Sequence, residues 1–289
     1  MKKLSIILSL AVFAALAGCD QDSDYTIPDG DTASEPDGAP DGIVPDGAED
    51  PTDDPAPGDP AADPVEDDPG STTLDPPAGG SSGGTGGTAA SGETRVTGSG
   101  VSYHLIAPSG AGPHPLMIVY SGTEGGSMMT SNVQSVMAYA GLSSVIFGIL
   151  DGVVYRGNAT AGADVIDHLR GLYNVDNDRT YLLSESAGTT AGLALGLDLR
   201  QSYFAAYWAN DVNASGTPTL TASELGFAPY GNAGPGGDWP DANIIVNGMV
   251  AAGYRCPEPA PYDGSGSDTH GHPDQFVAAM QWFAGKTRL

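Results

Sequence analysis

Beyond residue 100, short apolar runs alternate with stretches of helical spacing. "VSYHLIAP" (101–108) alternates with period two, whereas "PLMIVYS" (115–121) and "SSVIFGIL" (143–150) are continuous apolar runs, as in strands buried on both faces. "SNVQSVMAYAGL" (131–142) between them has helical spacing and ends near a glycine, and "TAGADVIDHLRGLY" (160–173) is a second amphipathic helix. After a turn-rich "NVDNDR", the pattern predicts a strand at "TYLLS", a helix at "AGTTAGLALGLDL" and a strand at "YFAAYWAN". Helices are predicted again at "PDANIIVNGMVAAGY" (240–254) and "PDQFVAAMQWFAG" (273–285). This alternation predicts an α/β fold, a mostly parallel central sheet with helices on both faces. Ligands of such sheets bind outside the carboxyl ends of the strands, so any chemistry belongs to the loops there.

The first 100 residues follow a different pattern. "MKKLSIILSLAVFAALAGC" has a basic start, an apolar run from Leu4 to Ala17 and small residues before Cys19. A run of about 14 apolar residues is short for a bilayer, which needs roughly 20, and suits the core of a secretory signal. The ending Leu16-Ala17-Gly18-Cys19 resembles the lipobox of bacterial lipoproteins. That resemblance implies a signal peptide over 1–18, lipidation of Cys19 and attachment to a membrane of the bacterial cell envelope, facing the periplasm or the exterior. Buried acyl chains stabilise such attachment by about 0.8 kcal/mol per methylene.

Residues 19–99 are expected to form a disordered acidic tether, Pro/Asp/Gly-rich and then Gly/Ser/Thr-rich. They hold about 20 acidic residues and one base, Arg95. With so few large apolar side chains, burial cannot offset the conformational entropy of folding. The Pro-Asp-Gly repeats beginning at Pro28, Pro36, Pro40 and Pro45 lack the ordered ligand spacing of a calcium loop.

The remaining 100–289 segment suits one domain. The chain of 289 residues carries a formal charge of -26, and the folded part alone is acidic by about nine units, which argues against nucleic acid as a partner. With Cys19 lipidated, no internal disulfide is expected at Cys256. No metal-ligand spacing, phosphate loop or dinucleotide fingerprint is present, so neither metal nor cofactor is expected. The domain is expected to act as a monomer.

The chemistry centres on "TYLLSESAGTTAG", where Ser186 sits between a predicted strand and a predicted helix. Such a turn exposes a serine hydroxyl and aims the helix's free N–H groups at a developing oxyanion. The usual pattern is Gly-x-Ser-x-Gly. Gly188 fits it, but Ser184 stands where the first glycine belongs.

Through "IVYSGTEGG", "LLSESAGTTAG" and "THGHPDQFVAAMQWF", the domain resembles a small α/β-hydrolase of the polyhydroxyalkanoate depolymerase and feruloyl esterase type, with no evident cap domain. The resemblance implies a serine carboxylic ester hydrolase working through an acyl-enzyme, on an ester that is small or polymeric. It implies oxyanion donors at Gly122 or Thr123 and at Ala187. The family order of Ser, acid, His places the base late in the chain, at His270 or, alternatively, His272. His104 and His114 precede the serine on elements that suggest structural roles, and His168 is expected to face solvent from an amphipathic helix beside Asp164. For the acid, Asp238 leads, with Asp211 and Asp241 as alternatives; Asp268 is too near His270 in sequence. A rival reading is a non-catalytic cell-surface binding module on a degenerate hydrolase scaffold.

Overall fold

The computed structural model describes residues 80–235, 239–257 and 270–289. The proposed signal peptide, Cys19 and the acidic stretch up to residue 79 lie outside them. Among the described residues, no helix is long and apolar enough to cross a membrane.

Seven strands form one sheet in the order β1-β2-β4-β3-β5-β6-β7. Strands β1 (Ala90–Val96) and β2 (Ser102–Ala107) form an antiparallel pair at one edge, and β2 runs antiparallel to β4 (Ile146–Leu150). From β4 through β3 (His114–Tyr120), β5 (Val175–Glu185), β6 (Ala206–Asn210) and β7 (Tyr230–Ala233) every pairing is parallel. This is the α/β-hydrolase architecture.

Alternation within the strands divides the core in two. Leu116, Ile118 and Tyr120 of β3 face helices α2 (Ala159–Leu172), α3 (Thr189–Ala194) and α5 (Trp239–Ala251), and the short α4 (Ala222–Leu225) adds Leu225 to the same layer. Met117 and Val119, one residue out of phase, face α1 (Gly125–Val136) and α6 (Pro273–Phe283). Successive strand side chains point to opposite faces, so a continuous apolar run such as "PLMIVY" serves both layers.

Four features differ from the sequence pattern. The domain begins before residue 100: Ser82 donates its N–H to the Val175 carbonyl at 2.9 Å, Gly87 bonds Leu172, and 90–96 is β1. "ASGETRV" hides this strand because it is largely exposed and carries little apolar alternation. The helix expected over 131–142 occupies Gly125–Val136, and the chain then closes in turns through the Leu142 N–H bonded to the Met137 carbonyl. "VDNDR" belongs to β5, where the Asp176 carboxylate satisfies the Asp178 N–H and the Arg179 guanidinium locally. Finally, "YGNA" forms β7 although it holds few apolar side chains.

Candidate active site

Ser186 follows β5 directly and opens a single helical turn that leads into α3. Its φ of +48° lies in the left-handed region, sparsely populated for a residue with a Cβ and characteristic of strained functional turns. The turn needs close approach on its far side. A Cβ on Gly188 would lie 2.6 Å from the Tyr120 Cβ and 2.7 Å from the Ser121 carbonyl oxygen. Ser184 is fully buried and shares a 2.8 Å hydrogen bond with the Tyr207 hydroxyl.

His270 Nε2 lies 2.6 Å from Ser186 Oγ. With the imidazole proton on Nδ1, the serine hydroxyl donates to Nε2, the arrangement by which a base removes its proton. On the other side of the ring, Asp211 Oδ1 stands 3.9 Å from His270 Nδ1. That is ion-pair reach, about 1 Å longer than a hydrogen bond, and such contacts often tighten only when substrate binds. Asp211 follows β6, is 1 % exposed and has a φ of +50°. Its Oδ2 accepts the Gly271 N–H, tying the histidine's own loop to the acid, while Oδ1 has no hydrogen-bond partner among the described residues.

The structure thus brings together Ser186, His270 and Asp211, the last named in the sequence only as an alternative acid. Asp238 and Asp268 lie outside the described residues. Asp241 occupies the first turn of α5, where a carboxylate complements the helix dipole. His272 is the N-cap of α6, its Nδ1 accepting the Asp274 N–H at 3.3 Å.

The loop after β3 borders the serine: a Cβ on Gly122 would lie 3.1 Å from the Ser186 Cβ. Ser121 Oγ accepts the Gly152 N–H at 3.0 Å and holds this loop to the one after β4. The Gly122 N–H is already engaged, donating at 2.9 Å to Glu124 Oε1. Glu124 was not singled out in the sequence, nor was Glu185, the buried residue just before the nucleophile. Asn210 Nδ2 donates to Glu185 Oε2 at 3.2 Å.

Among the described residues, Glu124, Glu185 and Asp211 gather around the serine, and burial dominates the pKa of each. It raises Glu185 well above the usual range, with the charges of Glu124 and Asp211 adding to the effect. Burial also raises Glu124, reinforced by Asp151 and Asp211 and opposed by hydrogen bonds from backbone N–H groups. Asp211 is raised by burial too, against the opposing pull of His270, the Gly271 N–H and His272. A cavity of about 430 Å³ lined by His114, Tyr173 and Asn174 lies at the amino ends of β3 and β5, away from these groups.

A mostly parallel sheet with a serine on a strained strand-to-helix turn, a histidine bonded to it and a buried aspartate behind the ring defines a class. The protein is a serine hydrolase built around a Ser-His-Asp triad. No family model matches the chain, and no curated protein matches it. Among solved structures, it is similar to a thermostable esterase (TM-score 0.49, 17% identity, covering 68% of this chain and 63% of that one). It is also similar to LpqC, a poly(3-hydroxybutyrate) depolymerase from Bordetella parapertussis (TM-score 0.49, 14% identity, 70% and 92% covered). A putative dienelactone hydrolase from Klebsiella pneumoniae matches with a TM-score of 0.43 at 12% identity, covering 69% of this chain and 98% of that one.

Proposed function

We propose that the protein is an exported, lipid-anchored carboxylic ester hydrolase, with Ser186 as nucleophile, His270 as general base and acid, and Asp211 as the orienting carboxylate. The observation that carries this reading is the 2.6 Å contact between His270 Nε2 and Ser186 Oγ. In the first half-reaction Ser186 Oγ bonds to the ester carbonyl carbon as its proton passes to Nε2. The tetrahedral intermediate then collapses, breaking the bond to the alcohol oxygen, which leaves with the proton from Nε2. Water repeats the sequence on the acyl-enzyme, releasing the acid and restoring the serine. Asp211 fixes the Nδ1–H tautomer and offsets the imidazolium charge. Thr123 and Ala187 N–H groups stabilise the oxyanion, and Gly122 joins them when Glu124 releases it.

Anchoring rests on the sequence: the basic and apolar start, Cys19 after small residues, and the acidic stretch that follows. It predicts that the protein partitions with the envelope membrane and that Cys19→Ser releases it. For the catalytic reading, hydrolysis of p-nitrophenyl acetate by the wild type and its loss in Ser186→Ala is the test. Equal turnover by both proteins contradicts it.

A further inference from the structure

The loop after β4 carries a feature that the triad does not use. Val153 and Val154 are 49% and 70% exposed, side by side at the carboxyl end of the sheet. Exposed apolar residues scattered singly need no explanation. This pair is held rigidly. Asp151 Oδ1 accepts both the Val153 N–H (2.9 Å) and the Val154 N–H (3.0 Å). The Tyr155 N–H bonds back to the Asp151 carbonyl at 2.9 Å, and the Tyr155 hydroxyl accepts the Ser102 N–H at 2.7 Å. The loop is therefore fixed on both sides of the valines, which cannot turn inward without breaking these bonds.

The same loop is fixed to the reaction centre. A Cβ on Gly152 would overlap the Ser121 carbonyl oxygen and lie 2.8 Å from the Gly188 nitrogen, so Gly152 is wedged between the oxyanion loop and the nucleophile turn. Asp151 Oδ2 accepts the Gly126 N–H at 3.2 Å, joining the start of α1 to the valine loop through one carboxylate. Met128, in the first turn of α1, is a further exposed apolar side chain at this end, 39% exposed. One aspartate thus sets the position of an apolar surface relative to the segment that borders Ser186.

We infer that Val153 and Val154 form the substrate platform of this site, packing against an aliphatic or aromatic group of several carbons on the ester. The inference rests on the ester hydrolase reading and goes further, naming the substrate class and the residues that select it. Preorganised apolar surface adds affinity because little ordering remains to be done when substrate arrives.

The test compares kcat/KM for p-nitrophenyl acetate, butyrate and hexanoate in the wild type and the double variant Val153→Ser, Val154→Ser. A matching series of acetate esters with lengthening alcohols reports on the leaving-group side. The readout is the ratio of long-chain to short-chain kcat/KM within each protein, which does not depend on the fraction of active enzyme. In the wild type, the ratio rises in one of the two series. In the double variant it falls by about tenfold, since each buried methylene is worth roughly a factor of four. Val154→Thr, which keeps the side-chain shape, shifts the ratio in the same direction and guards against misfolding of the double variant. Ratios within twofold of wild type in both series, with turnover intact, overturn the inference and leave the hydrolase reading standing. Absence of turnover on every ester, together with no labelling by a fluorophosphonate, means that the hydrolase reading has failed and this inference falls with it.

Discussion

Ser184 packs directly against Gly192: a Cβ placed on Gly192 would overlap both the Ser184 Cβ and its hydroxyl. This contact explains how the turn dispenses with its first glycine. The extra hydroxymethyl group is accommodated by the absence of a side chain at Gly192 in α3, and the Tyr207 hydroxyl satisfies its oxygen at 2.8 Å. Gly192→Ala should therefore destabilise the fold by about 1–3 kcal/mol through overpacking. Ser184→Gly should recover part of that loss in the double variant, a coupling that urea unfolding of the four proteins would measure. Strictly additive effects would contradict the contact.

Asp211 and Asp238 are separated by substitution to the uncharged isostere. Asp211→Asn should lower kcat by about 10³- to 10⁴-fold, the scale seen when a triad histidine loses its orienting carboxylate. Asp238→Asn should leave kcat within about tenfold, since the carboxylate beside His270 is Asp211. Steady-state rates on one activated ester decide between them, and the reverse ranking would transfer the acid's role to Asp238.

Glu124 gives the site a pH dependence of its own. Its burial and carboxyl neighbours raise its pKa, so it keeps its proton to higher pH than an ordinary glutamate. Above that point a carboxylate stands against the Gly122 N–H, one of the proposed oxyanion donors. Glu124→Gln keeps an oxygen to accept the Gly122 N–H and removes the charge. The ratio of variant to wild-type kcat should therefore be near one in acid and rise by about three- to tenfold as Glu124 ionises. A ratio independent of pH would show that its charge does not reach the reaction.

Glu185 should register in stability. Its folded-state pKa lies above the unfolded value because burial disfavours its charge. Between the two values the native state binds more protons, so stability falls as pH rises through the folded pKa. Glu185→Gln removes that dependence and retains an acceptor for the Asn210 amide. The variant should gain on the wild type as pH rises and match it below about pH 4, measured by urea unfolding across pH. A constant difference would contradict the assignment.

The sequence singled out Ser186 and narrowed the base to His270 or His272, because both depend on local context. Ser186 falls between an apolar strand and an Ala- and Gly-rich helix, and His270 falls in the segment just before the last helix. Asp211 stayed one of several carboxylates, because its role depends on the end of β6 meeting a loop 60 residues later. Chain order constrains that meeting only loosely. Glu124 and Glu185 left no signal, as their importance arises from burial against each other rather than from spacing. The edge strands β1 and β7 were missed for a related reason: "ASGETRV" and "YGNA" derive their conformation from β2 and β6, not from their own apolar pattern. The central strands, buried on both faces, declared themselves.

Covalent trapping by a fluorophosphonate, followed by mass mapping of the modified peptide, reads the central contact most directly. The triad predicts a single adduct at Ser186, formed quickly in the wild type, much more slowly in His270→Ala and not at all in Ser186→Ala. An unlabelled but folded wild-type protein, or labelling that persists after Ser186→Ala, would contradict it.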